Sequence, residues 1–292
     1  MPIRGWRVPS IRSLPSEQGR VRFAAHAVIA HRRVLAQRLM SPSLPFRVLL
    51  LAGPPASSAL WAQPIARWGA RLPARALELF DPPPADASVA GLAARVVAEL
   101  RAEPGPVVLV AQGSAIPVAL AAAAQAPVAR LVLCNGPLGR LDPFLGALAR
   151  AARMPRLLAA NLLQPRGLSG WLASSAGLRR AVVNPYVMDR DTVVALLDPL
   201  VRTPAHRRAL ASFLASLPAA VARPPVLTVP TLMVWGDADP LYPASDVDNA
   251  RPFLRDLTHV GVPGGQHLHV EERPWVLADA VTAWLTRGGT VT

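Results

Sequence analysis

The chain has 292 residues, of which 52% are apolar and 17% charged, and its 31 basic and 18 acidic side chains give a formal net charge of +13. This apolar content excludes a disordered chain, because it supplies ample material for a buried core, and the length suits one large α/β domain or two small ones. The single cysteine, Cys134, excludes a disulfide-stapled scaffold and a zinc site built on cysteines.

The sequence contains no obvious membrane or export segment. A membrane-spanning helix needs about 20 apolar residues, whereas the longest apolar run, residues 115–124, is interrupted by Pro117. Residues 1–22 contain five arginines and lack the apolar centre of a secretory signal. We therefore expect a cytoplasmic protein.

The positive charge is unevenly distributed. Every basic side chain is an arginine, as codon-composition bias would produce, and the net charge is +7 over residues 1–40, +8 over residues 138–223 and −4 over residues 224–292. No basic stripe with interleaved aromatic residues and no zinc-finger or helix-turn-helix pattern occurs, so we expect no nucleic-acid partner. Weak contact with an anionic membrane surface stays open.

Short apolar runs alternate with helix-compatible segments along the chain. The runs, rich in Val or Leu, predict buried parallel strands at residues 47–52, 76–80, 107–111, 130–134 and 231–235. Helices are predicted at residues 88–101, 115–125, 206–217 and 274–285. This alternation predicts an α/β fold with a mostly parallel, doubly wound sheet.

Two segments depart from this rhythm. Residues 1–23 form a predicted Arg-rich arm, and residues 24–40 suit either a basic amphipathic helix, which their alanine content favours, or a hairpin. Residues 138–217 interrupt the strands with helical, Arg-bearing sequence and predict an inserted helical lid. The core then comprises residues 24–137 and 218–292.

Three segments rich in glycine or polar residues lie where doubly wound sheets bind ligands, beyond the carboxyl ends of strands: residues 110–116, 235–240 and 263–274. In this order they resemble the nucleophile elbow, the acid and the histidine of the α/β-hydrolase fold family. Residues 49–53 with Trp61, and residues 80–81, extend the resemblance to roughly residues 24–287. Under it, residues 26–40 form the opening hairpin.

The resemblance implies roles for individual residues. His267 matches the base and Asp239 the acid that orients it, with Asp237 as a reserve carboxylate or a turn cap. Gly53 and Pro54, together with Gln112 and Ser114, would line the oxyanion and substrate site.

The remaining positions carry weaker predictions. Asn135 stands where some members of the family carry their acid, and it would bind a ligand or cap a turn. Cys134 is expected to be buried and to pack in the core. No metal-ligand spacing, phosphate-binding loop or dinucleotide fingerprint occurs, so we expect no metal and no cofactor.

One departure from the family pattern concerns the nucleophile itself. The small–x–nucleophile–x–small pattern fits residues 111–115 with Gly113 at the nucleophile position, and glycine has no side chain that can attack a carbonyl. A register shifted by one residue would use Ser114, but it places Gln112 and the β-branched Ile116 at the small positions. We favour the first register, in which Ser114 contributes its backbone N–H to an oxyanion site. Ala52 and Gln266 also replace the His and Gly usual in the family.

We therefore expect the His267–Asp239 pair to act as a general base on a small, mostly apolar carbonyl compound, without a covalent serine step. The base would activate water or remove a substrate proton in a lyase, cyclase or isomerase step. Two alternatives remain: a serine hydrolase that uses Ser114 on an ester, thioester or lactone, and a non-catalytic relative that binds a ligand or a partner.

Overall fold

A computed structural model describes residues 43–154, 164–175 and 177–287. The predicted arm at residues 1–23, the predicted hairpin at residues 26–40 and part of the predicted lid lie outside these residues.

The strands of the described residues form one parallel sheet in the order β2-β1-β3-β4-β5-β6. Their bounds are β1 Arg47–Ala52, β2 Ala74–Leu77, β3 Val107–Gln112, β4 Arg130–Cys134, β5 Thr231–Gly236 and β6 Leu257–Val262. Every residue of β3 and β5 is buried, which accounts for their continuous rather than alternating apolar sequence. The predicted parallel, doubly wound sheet is confirmed.

One predicted strand needs correction, and one strand was missed. The strand expected at residues 76–80 is β2, which pairs with β1 from Ala74 to Leu77. Phe80 has left the sheet by then, and its ring packs edge-on against Phe213 at 5.7 Å between centroids. Strand β6 was not predicted, because it is a largely solvent-facing edge strand without an apolar run.

The helices of the described residues are α1 Ala62–Trp68, α2 Val89–Ala102, α3 Ile116–Ala123, α4 Pro143–Ala152, α5 Pro165–Leu172, α6 Arg190–Val201, α7 Pro204–Ala222, α8 Ser245–Ala250, α9 His269–Glu272 and α10 Pro274–Arg287. Local sequence sets several of their starts: the side chains of Ser88, Asp142, Asp189 and Thr203 accept hydrogen bonds from backbone N–H groups of the first turn.

The helices cover both faces of the sheet. The chain moves from β1 outward to β2 and then back past β1 to β3, so right-handed crossovers place α1 and α2 on opposite faces. Helix α2 packs against α3, and α1 packs against α10, where the Trp68 indole donates to the Ala278 carbonyl at 3.1 Å.

A long helical excursion separates β4 from β5. Its described part contains α4 to α7, with α4 packed against α7 and α5 against α6. The predicted helix at residues 206–217 is longer at both ends, so the expected lid boundary at residue 217 falls inside α7. None of the helices in the described ranges is both long and apolar enough to cross a membrane.

Candidate active site

The candidate site begins at the bend that leaves β3. After Gln112 the chain makes a short 3-10 turn, Gly113–Ala115, and enters α3. Gly113 has φ +61°, a left-handed conformation that favours glycine. A Cβ placed on Gly113 would lie 3.6 Å from Nε2 of His267 and would meet no other atom within 4 Å. The imidazole therefore faces the bare α-carbon of Gly113.

Two glycines on neighbouring strand ends enclose this bend. A Cβ on Gly53, just after β1, would lie 2.1 Å from the backbone nitrogen of Ala115. A Cβ on Gly136, which follows β4, would lie 2.4 Å from the carbonyl oxygen of Gly113. Both positions thus require glycine because the backbone of the bend approaches so closely.

Ser114 is buried and turned away from the histidine. Its hydroxyl donates a hydrogen bond to the Pro54 carbonyl oxygen at 2.7 Å. Its backbone N–H belongs to the first turn of a helical segment, where N–H groups have no partner inside the helix. Ser114 thus offers a backbone donor at the site, while its hydroxyl is engaged with the end of β1.

His267 and Asp239 form a buried pair. Nδ1 of His267 lies 3.0 Å from Oδ2 of Asp239, which also accepts from the Asn135 amide at 2.7 Å, while Oδ1 accepts from the Leu241 N–H at 2.8 Å. Burial raises the pKa of Asp239, but the interactions with His267 and the hydrogen bonds from Leu241 and Asn135 outweigh it, so the pKa lies below its usual value. Because an ionised carboxylate only accepts, Nδ1 carries the proton.

The second ring nitrogen of His267 faces the side chain of Gln112. The amide nitrogen of Gln112 lies 3.4 Å from Nε2 of His267 and 3.4 Å from the His267 carbonyl oxygen. An amide NH₂ group only donates, so the nitrogen that faces it, Nε2, carries a lone pair and no proton. This tautomer is the one that a general base requires.

A small cavity of about 40 Å³ lies over the bend. Its wall is mostly apolar and combines the end of β1, the bend and residues of the long excursion. The lining residues are Gly53, Pro54, Pro55, Ala56, Gln112, Ser114, Asp142, Phe144, Leu145, Gly177, Leu178, Arg180, Ala181, Leu241, His267 and Leu268. The residues predicted for the oxyanion and substrate site therefore meet in one cavity. Among the described residues, no cluster of His, Cys, Asp and Glu could hold a metal ion.

No family model matches the sequence, and no curated protein matches it either. Solved structures match across most of the chain. A haloalkane dehalogenase from Agrobacterium tumefaciens C58 aligns with a TM-score of 0.66 at 19% identity, covering 85% of this chain and 90% of its own. A thermophilic esterase from Thermogutta terrifontis aligns with a TM-score of 0.62 at 19% identity, covering 84% and 91%. An α/β-hydrolase fold protein from Burkholderia ambifaria aligns with a TM-score of 0.62 at 22% identity, covering 82% and 91%.

The chain has the α/β-hydrolase fold. Similarity at these identities establishes the fold alone, so the chemistry must be argued from the residues of the site.

Within the α/β-hydrolase fold, several single-residue predictions have a clear outcome. Asp237 is exposed and accepts from the Gly264 N–H at 2.7 Å, which makes it a turn cap. Asn135 binds protein groups: its amide donates to Asp239, and its oxygen accepts from the Gly236 N–H at 2.7 Å. Cys134 is fully buried, and burial raises the pKa of its thiol.

One prediction at the end of β1 needs correction. Gly53 was expected to line the oxyanion site, but its N–H is not available to a substrate oxygen because it donates to the Gln112 carbonyl at 3.1 Å. Gly53 still lines the cavity, but its role is to let the end of β1 contact the bend.

Sequence reasoning missed a second buried polar pair beside the histidine. The Tyr242 hydroxyl donates to Oδ2 of Asp142 at 2.7 Å, and the Tyr242 ring lies against the His267 imidazole at 5.5 Å between centroids. Burial, with the nearby Asp142 carboxylate, raises the pKa of Tyr242. No local sequence pattern predicts this pair, because Tyr242 and Asp142 lie 100 positions apart in the chain.

Proposed function

We propose that this protein acts on a small, mostly apolar carbonyl compound, with the His267–Asp239 pair as general base and without a covalent serine step. The observation that carries the proposal is the 3.6 Å separation between Nε2 of His267 and the position of a Cβ on Gly113. A base is thus aimed at a place where this chain has no nucleophile. Any group attacked or deprotonated there must come from water or from the substrate.

The contacts of Ser114 support a step without an acyl-enzyme. Its hydroxyl donates to the Pro54 carbonyl and makes no hydrogen bond with His267, so it lacks the base that activates a serine nucleophile. Its backbone N–H can instead stabilise negative charge on a substrate oxygen.

The dyad has the properties of a general base. Asp239 stays ionised and holds the Nδ1 proton, and it stabilises the imidazolium that forms when Nε2 accepts a proton. Two steps use this arrangement: activation of a water molecule for addition to the carbonyl, and removal of a proton next to it.

The cavity restricts the substrate. Its volume of about 40 Å³ favours a small substrate group. Its apolar lining favours an uncharged aliphatic group. We further propose that the described part of the excursion between β4 and β5 acts as a lid, because Phe144, Leu145, Leu178 and Ala181 supply part of this lining.

The proposal is tested by labelling and by turnover together. We expect no labelling of the wild-type chain by a fluorophosphonate probe, and turnover of at least one member of a panel of small esters, lactones and enolisable ketones. His267→Ala should reduce that turnover by about 100-fold or more, the usual contribution of a general base. Labelling of Ser114 would show a serine hydrolase instead, and turnover that survives His267→Ala would overturn the role of His267.

A second candidate is a non-catalytic protein that binds a small carbonyl ligand. One observation favours this candidate: the Gly53 N–H is already bound to the Gln112 carbonyl. The site therefore has one group fewer that could stabilise an oxyanion. This candidate predicts that compounds from the same panel raise the melting temperature while none of them is turned over.

A further inference from the structure

The wall formed by the end of β1 offers no free backbone donor to a bound ligand. The Gly53 N–H donates to the Gln112 carbonyl at 3.1 Å, and the Ala56 N–H donates to the Gly53 carbonyl at 3.0 Å. Pro54 and Pro55, between them, have no N–H. All four residues line the cavity, so an oxygen bound there receives no hydrogen bond from this side.

Among the described residues that line the cavity, few further donors lie at the bend. Asp142 lines it but only accepts hydrogen bonds as a carboxylate, the Ser114 hydroxyl already donates to Pro54, and Arg180 is exposed to solvent. At the bend after β3, the groups left to donate are the Ser114 backbone N–H and the side-chain amide of Gln112.

The Gln112 amide is placed to donate to a bound oxygen, and its hydrogen bonds within the protein are weak. Gln112 is only 1% exposed, and burying its polar amide costs free energy that hydrogen bonds must offset. Its contacts with Nε2 and the carbonyl oxygen of His267 are both 3.4 Å, longer than the usual 2.7–3.2 Å range of such bonds. The amide also directly borders the nitrogen that would take the proton.

We propose that the side-chain amide of Gln112 donates a hydrogen bond to the substrate carbonyl oxygen and, with the Ser114 N–H, stabilises the charge that develops there. This rests on the proposed function. When a proton leaves the carbon next to the carbonyl, it moves to Nε2 of His267, the C–H electron pair forms the enolate double bond, and the carbonyl π pair moves to the oxygen held by Gln112. The substrate class is then a carbonyl compound whose oxygen lies beside the bond that the base breaks.

An installed nucleophile provides the test. Gly113→Ser places a hydroxyl next to Nε2 of His267, in a space that a Cβ enters without a clash. With 4-nitrophenyl acetate, the new oxygen bonds to the acetyl carbon, 4-nitrophenolate leaves, and the hydroxyl proton passes to His267. The acetyl oxygen gains charge in this step, so its rate, read from nitrophenolate release and intact mass, reports the donors around it.

We expect Gly113→Ser to be acetylated, and Gly113→Ser with Gln112→Leu to be acetylated about 100-fold more slowly, the usual effect of losing one oxyanion donor. The matched control is Gly113→Ser with Gln125→Leu, which removes a surface glutamine whose amide contacts only the Ala121 carbonyl. This control should keep the rate of Gly113→Ser within about threefold.

The outcomes separate the two proposals. Equal rates with and without Gln112→Leu overturn the role of Gln112 and leave the base in place. Equal rates with and without His267→Ala overturn the base, and hence the proposed function. A folded Gly113→Ser variant that is never acetylated contradicts both.

If Gly113→Ser does not fold, a second experiment uses the wild-type chain. Gln112→Leu must then lower kcat about 100-fold, with little change in KM, on the compound that the panel shows to be turned over. A change in KM alone, no loss of kcat, or a panel in which no compound is turned over overturns the assignment.

Discussion

At Gly53, a missing side chain decides how the end of β1 meets the bend after β3. Its hydrogen atoms face the backbone nitrogen of Ala115 and the hydroxyl of Ser114, at distances that leave no room for a methyl group. The same contact brings the Pro54 carbonyl to the Ser114 hydroxyl. A single glycine therefore sets the shape of the cavity wall and the hydrogen bond that holds Ser114 away from His267.

This contact leads to a stability prediction. We expect Gly53→Ala to lower the free energy of unfolding by about 2 kcal/mol or more, because a backbone atom cannot yield as a flexible side chain can. The matched control is Gly167→Ala in the first turn of α5, where a Cβ meets nothing within 4 Å. That change should raise stability by about 0.5–1 kcal/mol. Urea unfolding measures both, and equal effects would contradict this account of Gly53.

At the scale of elements, the long excursion is attached directly to the segment that carries the histidine. The Glu272 carboxylate, at the end of α9, accepts from the N–H groups of Val183 and Asn184 at 2.9 and 2.7 Å. The Leu268 N–H, next to His267, donates to the Ala181 carbonyl at 2.8 Å. Three hydrogen bonds thus join the excursion to the segment that carries His267.

We expect Glu272→Ala to loosen this attachment locally. Losing the carboxylate leaves two backbone N–H groups without their acceptor, and a loss of about 1 kcal/mol corresponds to roughly fivefold faster hydrogen exchange over residues 182–187. Glu271→Ala is the control, because the Glu271 side chain accepts no hydrogen bond from the described part of the excursion. Unchanged exchange in Glu272→Ala, measured by mass spectrometry, would show that the attachment does not depend on this carboxylate.

At the scale of the whole molecule, one buried histidine should make folding depend on pH. His269 is fully buried, and burial lowers its pKa to about 4, with the charge of His267 acting in the same direction. Arg273 adds to this lowering, while the Asp239 carboxylate opposes it. An unfolded histidine has a pKa near 6.5. Between these two values the unfolded chain binds a proton that the folded chain excludes, so stability falls as the pH drops.

We expect this single group to remove about 2 kcal/mol of stability between pH 7 and pH 5. His269→Gln, which cannot titrate, should lack this part of the pH dependence, and the difference between the two proteins measures it. Urea unfolding at both pH values is the measurement. An identical pH dependence in both proteins would mean that His269 does not carry this effect.

The amino-acid sequence by itself determined the fold class and the positions of the candidate site in the chain. Runs of Val and Leu predict buried strands from local composition alone, and the ends of such strands are where these sheets bind ligands. The resemblance of three segments, taken together and in chain order, to the α/β-hydrolase pattern then pointed to Gly113, Asp239 and His267. The edge strand β6 was not predicted, because most of its residues are exposed or partly exposed and its sequence has no run of Val and Leu.

Only the tertiary structure decided which groups meet. The Ser114 hydroxyl bonds a carbonyl 60 positions away, Asn135 holds Asp239 over 104 positions, and Gln112 meets His267 over 155. Whether a backbone N–H is free or already engaged is likewise set by packing, as Gly53 shows. Such contacts arise from the pairing of strands and loops across the fold, and no local pattern of residues encodes them.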